Sequence, residues 1–220
     1  MKSEKFPFLT IFYLLTLVMC GKMRNFAPDY NINNVNIKKN ITLTPAEYIQ
    51  LKAFARIDGA LLSVLWVASF ACYIAGIANP IFSMAAMILM FITPFFVGRC
   101  LAKFRDVGLG GIISFGRGWG YAVYVFFYAA ILLAVAQYIY FAYMDQGYLI
   151  SSFNNVLASP EVKQLFDQYG VRQAVTESIE SMSQLRPIDY ALNVLTMNIF
   201  VGIILGLPIA ALMKRSVSKP

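Results

Sequence analysis

Four stretches of this chain run without a charge for a length that reaches across a lipid bilayer: residues 59–78, 81–98, 121–143 and 191–213. An apolar helix needs about 20 residues to cross a hydrocarbon core of roughly 30 Å, and a backbone without water around it must satisfy its own hydrogen bonds. Each stretch is therefore expected to be a helix, and the set predicts an all-α, polytopic transmembrane bundle of four spans. The balance of side chains agrees. Of 220 residues, 59% are hydrophobic and 13% charged, against roughly 25% charged in soluble domains.

Lys and Arg set the expected orientation. With both ends of the four-span core inside, fifteen basic residues fall on the inner side, against Lys163, Arg172 and Arg186 outside. The positive-inside bias favours that arrangement. Leaving out Lys2, Lys5 and Lys22 still gives twelve against three. A multi-pass membrane protein with both ends of its four-span core on the cytoplasmic side follows as the expectation. The net charge of +7 is then a product of insertion, and no nucleic-acid partner is expected.

The N-terminal extension, residues 1–43, divides in two. Phe6 to Cys20 is a short apolar run with positive flanks, like a signal peptide, but Met19 stands where a cleavage box wants a small residue. Export would also put Lys38, Lys39, Lys52 and Arg56 outside. Three readings remain: translation from Met23, an interfacial segment, or a span with its N-terminus outside. The first is favoured, because the chain from Thr42 onward reads as complete without the run. Residues 23–45 are Asn-rich and without periodicity, the pattern of a flexible arm. The membrane domain is expected over 44–213, with Thr44 as N-cap, Pro45 in the first turn and Glu47 three residues after the cap. Residues 214–220 form a basic cytoplasmic tail.

Between the second and third spans, Arg99 to Gly120 forms a basic, glycine-dense connector. Its glycines lack the spacing of a dinucleotide or phosphate loop. Its cations, Arg99, Lys103, Arg105 and Arg117, serve topology first and are the candidate contacts for an anionic lipid. Asn79 and Pro80 make the tight turn between spans one and two. The external segment, residues 145–187, contains two amphipathic helices: one capped by Ser159 and stopped at Gly170, the other striped by Val171, Ala174, Val175, Ile179 and Met182. It is net acidic and too short to bury its own core, so it is expected to lean on the bilayer, the bundle or another protein.

On the fourth span, Asn198, Gly202, Gly206 and Ala210 make a small-residue face fit for close helix packing. It suits a partner helix, a second copy or this chain's own bundle, with Ala68, Cys72 and Gly76 as the internal candidate. Asn193, Asn198, Gln137 and Thr93 are the polar groups at membrane depth, expected to hydrogen-bond between helices. Asp58 with Arg56, and Asp106 with Arg105, are expected as charge pairs at the membrane edge. The chain has no histidine and three scattered cysteines. No catalytic residue, metal site, cofactor site or disulfide framework is identified.

Several segments together resemble a bacterial domain-of-unknown-function family, number 4199, small four-span membrane proteins found chiefly in Bacteroidota. They are Thr44 to Arg56, Phe104-Arg105-Asp106 with the glycines after it, Phe115 to Trp119, Leu192 to Asn198 and Gly206 to Ala210. The resemblance carries no catalytic motif. The expected role is a non-catalytic scaffold or accessory subunit of a cell-envelope complex, bound to the bilayer and to a membrane-protein partner or a second copy. The alternative is a transporter or flippase-like handler of an anionic lipid or lipid-linked substrate.

Overall fold

The computed structural model describes residues 45–215. The signal-like run, the Met23 start, the Asn-rich arm, the Thr44 cap and most of the basic tail lie outside the described residues. Seven α-helices follow in order: α1 Pro45–Ala78, α2 Pro80–Lys103, α3 Phe115–Tyr143, α4 Tyr148–Ala158, α5 Pro160–Gln168, α6 Arg172–Ser183 and α7 Pro187–Met213. A π-helical turn, Phe104–Gly108, extends α2. Four of these helices, α1, α2 with its π turn, α3 and α7, are long and apolar enough to cross a membrane.

The hairpin of α1 and α2 closes at Asn79, whose side chain accepts from the Ile81 amide at 3.1 Å while Pro80 opens the next helix. The turn expected at Asn79 and Pro80 is thus also a helix cap, with proline in the first helical position. The α3 helix is central. Half of its most apolar window is buried, against a third for α1 and 22% for α2 and α7, because α3 packs along both α7 and α1 while α2 rests mainly on α1. Three side-chain bonds tie these neighbours within the apolar region. Trp66 Nε1 donates to Thr93 Oγ1 at 3.0 Å, Ser69 Oγ to the Ala86 carbonyl at 3.0 Å, and Trp119 Nε1 to the Ile203 carbonyl at 3.1 Å.

The connector is far shorter than its composition suggests. Helix α2 continues through Arg99 and Lys103, and α3 starts at Phe115, capped by Ser114. Only Leu109 to Ser114 stays irregular, turned by Gly110 and Gly111 at φ of 65° and 92°. Gly116, Gly118 and Gly120 are helical. Glycine weakens a helix without forbidding it, so its density misled the expectation of a loop. The chain just after α7 pairs with this turn: Ile113 and Arg215 exchange backbone hydrogen bonds of 3.1 Å in both directions.

Beyond α3, three helices stand where two were expected. The additional one, α4, starts where the buried Asp145 carboxylate accepts from the Gly147 and Leu149 amides at 3.1 and 3.2 Å. Its Leu149, Ile150, Phe153, Val156 and Leu157 fall at helical spacing, a signal that the expectation of two helices passed over. Helices α5 and α6 meet at Gly170, with φ of 65°, as the stop signal implies.

The small-residue face of α7 lies on α3. A Cβ at Gly202 would overlap the Phe126 Cβ, and one at Gly206 would sit 3.1 Å from Trp119 Cδ1. Ala210 is buried against Gly118. Gly76 instead meets Ser83 of α2, so the face expected to receive α7 is used by the first hairpin. Gly202→Ala is expected to cost about 1–3 kcal/mol by overpacking, and Gly206→Ala less, since an indole edge shifts more readily than a Cβ. Equilibrium unfolding in detergent micelles measures both.

Candidate functional site

At the end of the bundle that holds the α2–α3 connector, the basic end, a carboxyl group is sealed inside the protein. Leu51, Ala55, Asp58 and Leu62 follow one another at helical spacing on α1, and all four are buried. Asp58 thus occupies a core position on an apolar stripe. Tyr121, on α3 and fully enclosed, donates its hydroxyl to Asp58 Oδ2. The buried Cys100 of α2 is a neighbour of the same carboxyl, and the charge of Lys103 one turn on acts on it. Three helices therefore meet on one acid. A carboxyl buried in this way is a site candidate, since the interior penalises every unpaired charge.

The floor of this site is aromatic. The π turn places Phe104, fully buried, flat against Tyr121 with ring centroids 4.7 Å apart and planes 6° from parallel, and Phe54 closes the other side at 5.2 Å. A π turn widens the helix by one residue per turn and recurs at functional positions. Here it brings Gly108 within reach of Gln50, whose Nε2 donates to the Gly108 carbonyl at 3.1 Å.

The expected pair of Asp58 and Arg56 does not form. Arg56 is exposed while Asp58 is buried, because residues two apart on a helix point to different sides. The pair of Arg105 and Asp106 does form, at 2.7 Å, and Arg105 also donates to the Met213 carbonyl at 3.0 Å. The spacing of 51, 55, 58 and 62 was the signal that could have placed Asp58 in the core.

The four candidate lipid-contact cations separate into two kinds. Arg99 and Lys103 lie one turn apart on α2 and are exposed. Arg105 is held by Asp106 and the end of α7, and Arg117 pairs with Glu47 of α1 at 2.9 Å. They line the same end of the bundle without converging on one point. Among the membrane-depth polar groups, Thr93 accepts from Trp66, Asn198 donates within its own helix to the Val194 carbonyl at 2.9 Å, and Asn193 is exposed. The Gln137 carbonyl oxygen is buried without a hydrogen-bond partner among the described residues. No group of three or more His, Cys, Asp or Glu side chains that could hold a metal occurs among the described residues.

A sequence model of the family described as "Protein of unknown function (DUF4199)" matches residues 58–215. The match begins at Asp58, so Thr44 to Arg56 lies outside it. No curated protein and no solved structure matches the chain.

Removing the donor to a buried acceptor costs its desolvation. Tyr121→Phe is therefore expected to lower stability by about 1–3 kcal/mol. Asp58→Asn, whose amide oxygen still accepts from Tyr121, should cost less. Arg56→Gln should stay within about 0.5 kcal/mol, as at other exposed positions. Thermal unfolding of the three variants in one detergent separates a core carboxyl from an edge ion pair.

Proposed function

As the chain belongs to the DUF4199 family, whose function is unknown, we propose from its own geometry that it is a non-catalytic accessory subunit or scaffold of the bacterial inner membrane. Its basic end faces the cytoplasm, and α4 to α6 dock a partner on the other side. The observation that carries this reading is the state of those three helices. Helices α5 and α6 contain no buried residue, and Leu149 is the sole buried residue of α4. Leu165, Tyr169 and Val171 stand 48%, 70% and 40% exposed. Their internal ties are polar: Arg172 bridges to Asp167 at 2.7 Å and donates to the Lys163 carbonyl at 3.2 Å, and Tyr190 at the start of α7 donates to the Met182 carbonyl.

Charge favours a protein over a bilayer surface as the cover for these apolar residues. Glu161, Asp167, Glu177 and Glu180 outnumber Lys163 and Arg172 on the three helices, and an acidic face is repelled by anionic headgroups. A membrane protein presenting cations around an apolar patch fits better. Orientation rests on the distribution of Lys and Arg, twelve of which lie on the inner side even without Lys2, Lys5 and Lys22.

Leu165→Asp and Tyr169→Asp are expected to abolish a complex that co-purifies with the full-length protein, while leaving membrane insertion intact. Recovery of free monomer alone after cross-linking in native membranes would refute the scaffold reading. Orientation is read at Val107→Cys, because Val107 is 74% exposed whereas Cys100 is buried. An impermeant thiol reagent should label it in inside-out vesicles and not in intact cells.

A further inference from the structure

We propose that Asp58 is a proton-operated latch. With its proton on, the basic end closes around it; loss of the proton draws in water and Lys103 and loosens α1 from α3. The device is separate from docking, which uses the other end of the molecule.

Asp58 stands one residue ahead of the charge-free stretch 59–78, at the basic end of α1. It is only 6% exposed. A charge held there needs a counter-ion, and among the described residues Asp58 belongs to no ion pair. The charged groups around it are engaged or turned away. On α1, Arg56 is exposed on another side, and Lys52 lies over the Tyr48 and Tyr124 rings at 4.5 and 5.6 Å. Arg105 of the π turn bonds Asp106 and the Met213 carbonyl, and Arg117 of α3 pairs with Glu47. Helix α7 carries Asp189 and Tyr190 at its far end, and Lys214 and Arg215 beyond it are exposed. The groups that face the carboxyl are Tyr121 of α3 with Cys100 and Lys103 of α2. A carboxyl enclosed without a counter-ion is tolerated as the neutral acid, which the interior penalises far less than an unpaired charge.

Lys103 is placed to answer a charge when one forms. It is exposed, belongs to no ion pair among the described residues, and has a flexible four-carbon stem. The π turn begins at the next residue, Phe104, so Lys103 sits where the regular winding of α2 ends. On ionisation the proton passes from the carboxyl to water entering at the basic end. The Tyr121 hydroxyl goes on donating, and Lys103 swings inward to pair with the carboxylate. The closed bundle thus holds a proton that the opened chain gives up. Raising pH above about 4, where an exposed carboxyl ionises, therefore weakens closure progressively.

The test uses the full-length protein in detergent, followed by infrared spectroscopy and thermal unfolding as pH is raised. A protonated-carboxyl C=O band is expected that fades with rising pH and is absent from Asp58→Asn. Wild type should lose stability relative to Asp58→Asn over the same range, a comparison in which every other titrating group cancels. Lys103→Gln removes the cation that favours ionisation and should carry both changes to higher pH. Arg99→Gln removes an equal charge one turn away and should shift them less. A band equally present in Asp58→Asn overturns the proposal, and so do wild type and Asp58→Asn losing stability in parallel. Equal shifts in Arg99→Gln and Lys103→Gln overturn the pairing with Lys103. Should Asp58→Asn fail to fold, the shift of the band in Lys103→Gln decides, and an unmoved band overturns the latch.

Discussion

How closely α1 and α7 can approach α3 decides the rest of the structure. Lipid tails are as apolar as leucine, so helices in a bilayer gain little from hiding hydrophobic surface and associate through tight packing and a few polar bonds. Two glycines provide the approach. At Gly59 a Cβ would come within 2.8 Å of both Tyr128 Cβ and the Val125 carbonyl, and at Gly202 it would collide with Phe126. With α7 against α3, Trp119 reaches the Ile203 carbonyl, while Trp66 to Thr93 ties α1 to α2. The interior then closes around Tyr121, Val125, Phe126 and Ala129, all essentially inaccessible.

Asp58 belongs to the same logic. Gly59 fixes α1 on α3 one residue away, so the carboxyl is carried into the core, where the Tyr121 hydroxyl compensates its burial. The π turn completes the enclosure by stacking Phe104 under Tyr121. The ends of the bundle differ in kind. At the basic end, ion pairs and the bridge of Ile113 with Arg215 tie the connector, α1 and the end of α7 together. At the other end, α4 to α6 hold one another by polar contacts and leave apolar residues uncovered.

Individual residues show where sequence reading stops. The turn at Asn79 and Pro80 and the stop at Gly170 were legible because each acts on its own backbone within a few residues. Helix α4 escaped because its cap comes from Asp145, three residues ahead of Tyr148 and across an irregular turn. Gly116, Gly118 and Gly120 suggested a loop, since composition reports flexibility and cannot report that a helix continues through it. Asp58 looked like an edge charge beside Arg56, although its register with Leu51, Ala55 and Leu62 already placed it on the buried stripe.

The sequence by itself determined that this protein has four apolar helices of membrane length, where the chain turns between them, and at which end its cations gather. Length, caps and charge are local properties, and the bilayer acts on each span separately. Only the tertiary structure decided which face of each helix meets protein and which meets lipid. Both faces are apolar, so periodicity cannot distinguish them. That choice put Gly202 on Phe126, sealed Asp58 beside Tyr121 and divided the basic cluster into paired and exposed members.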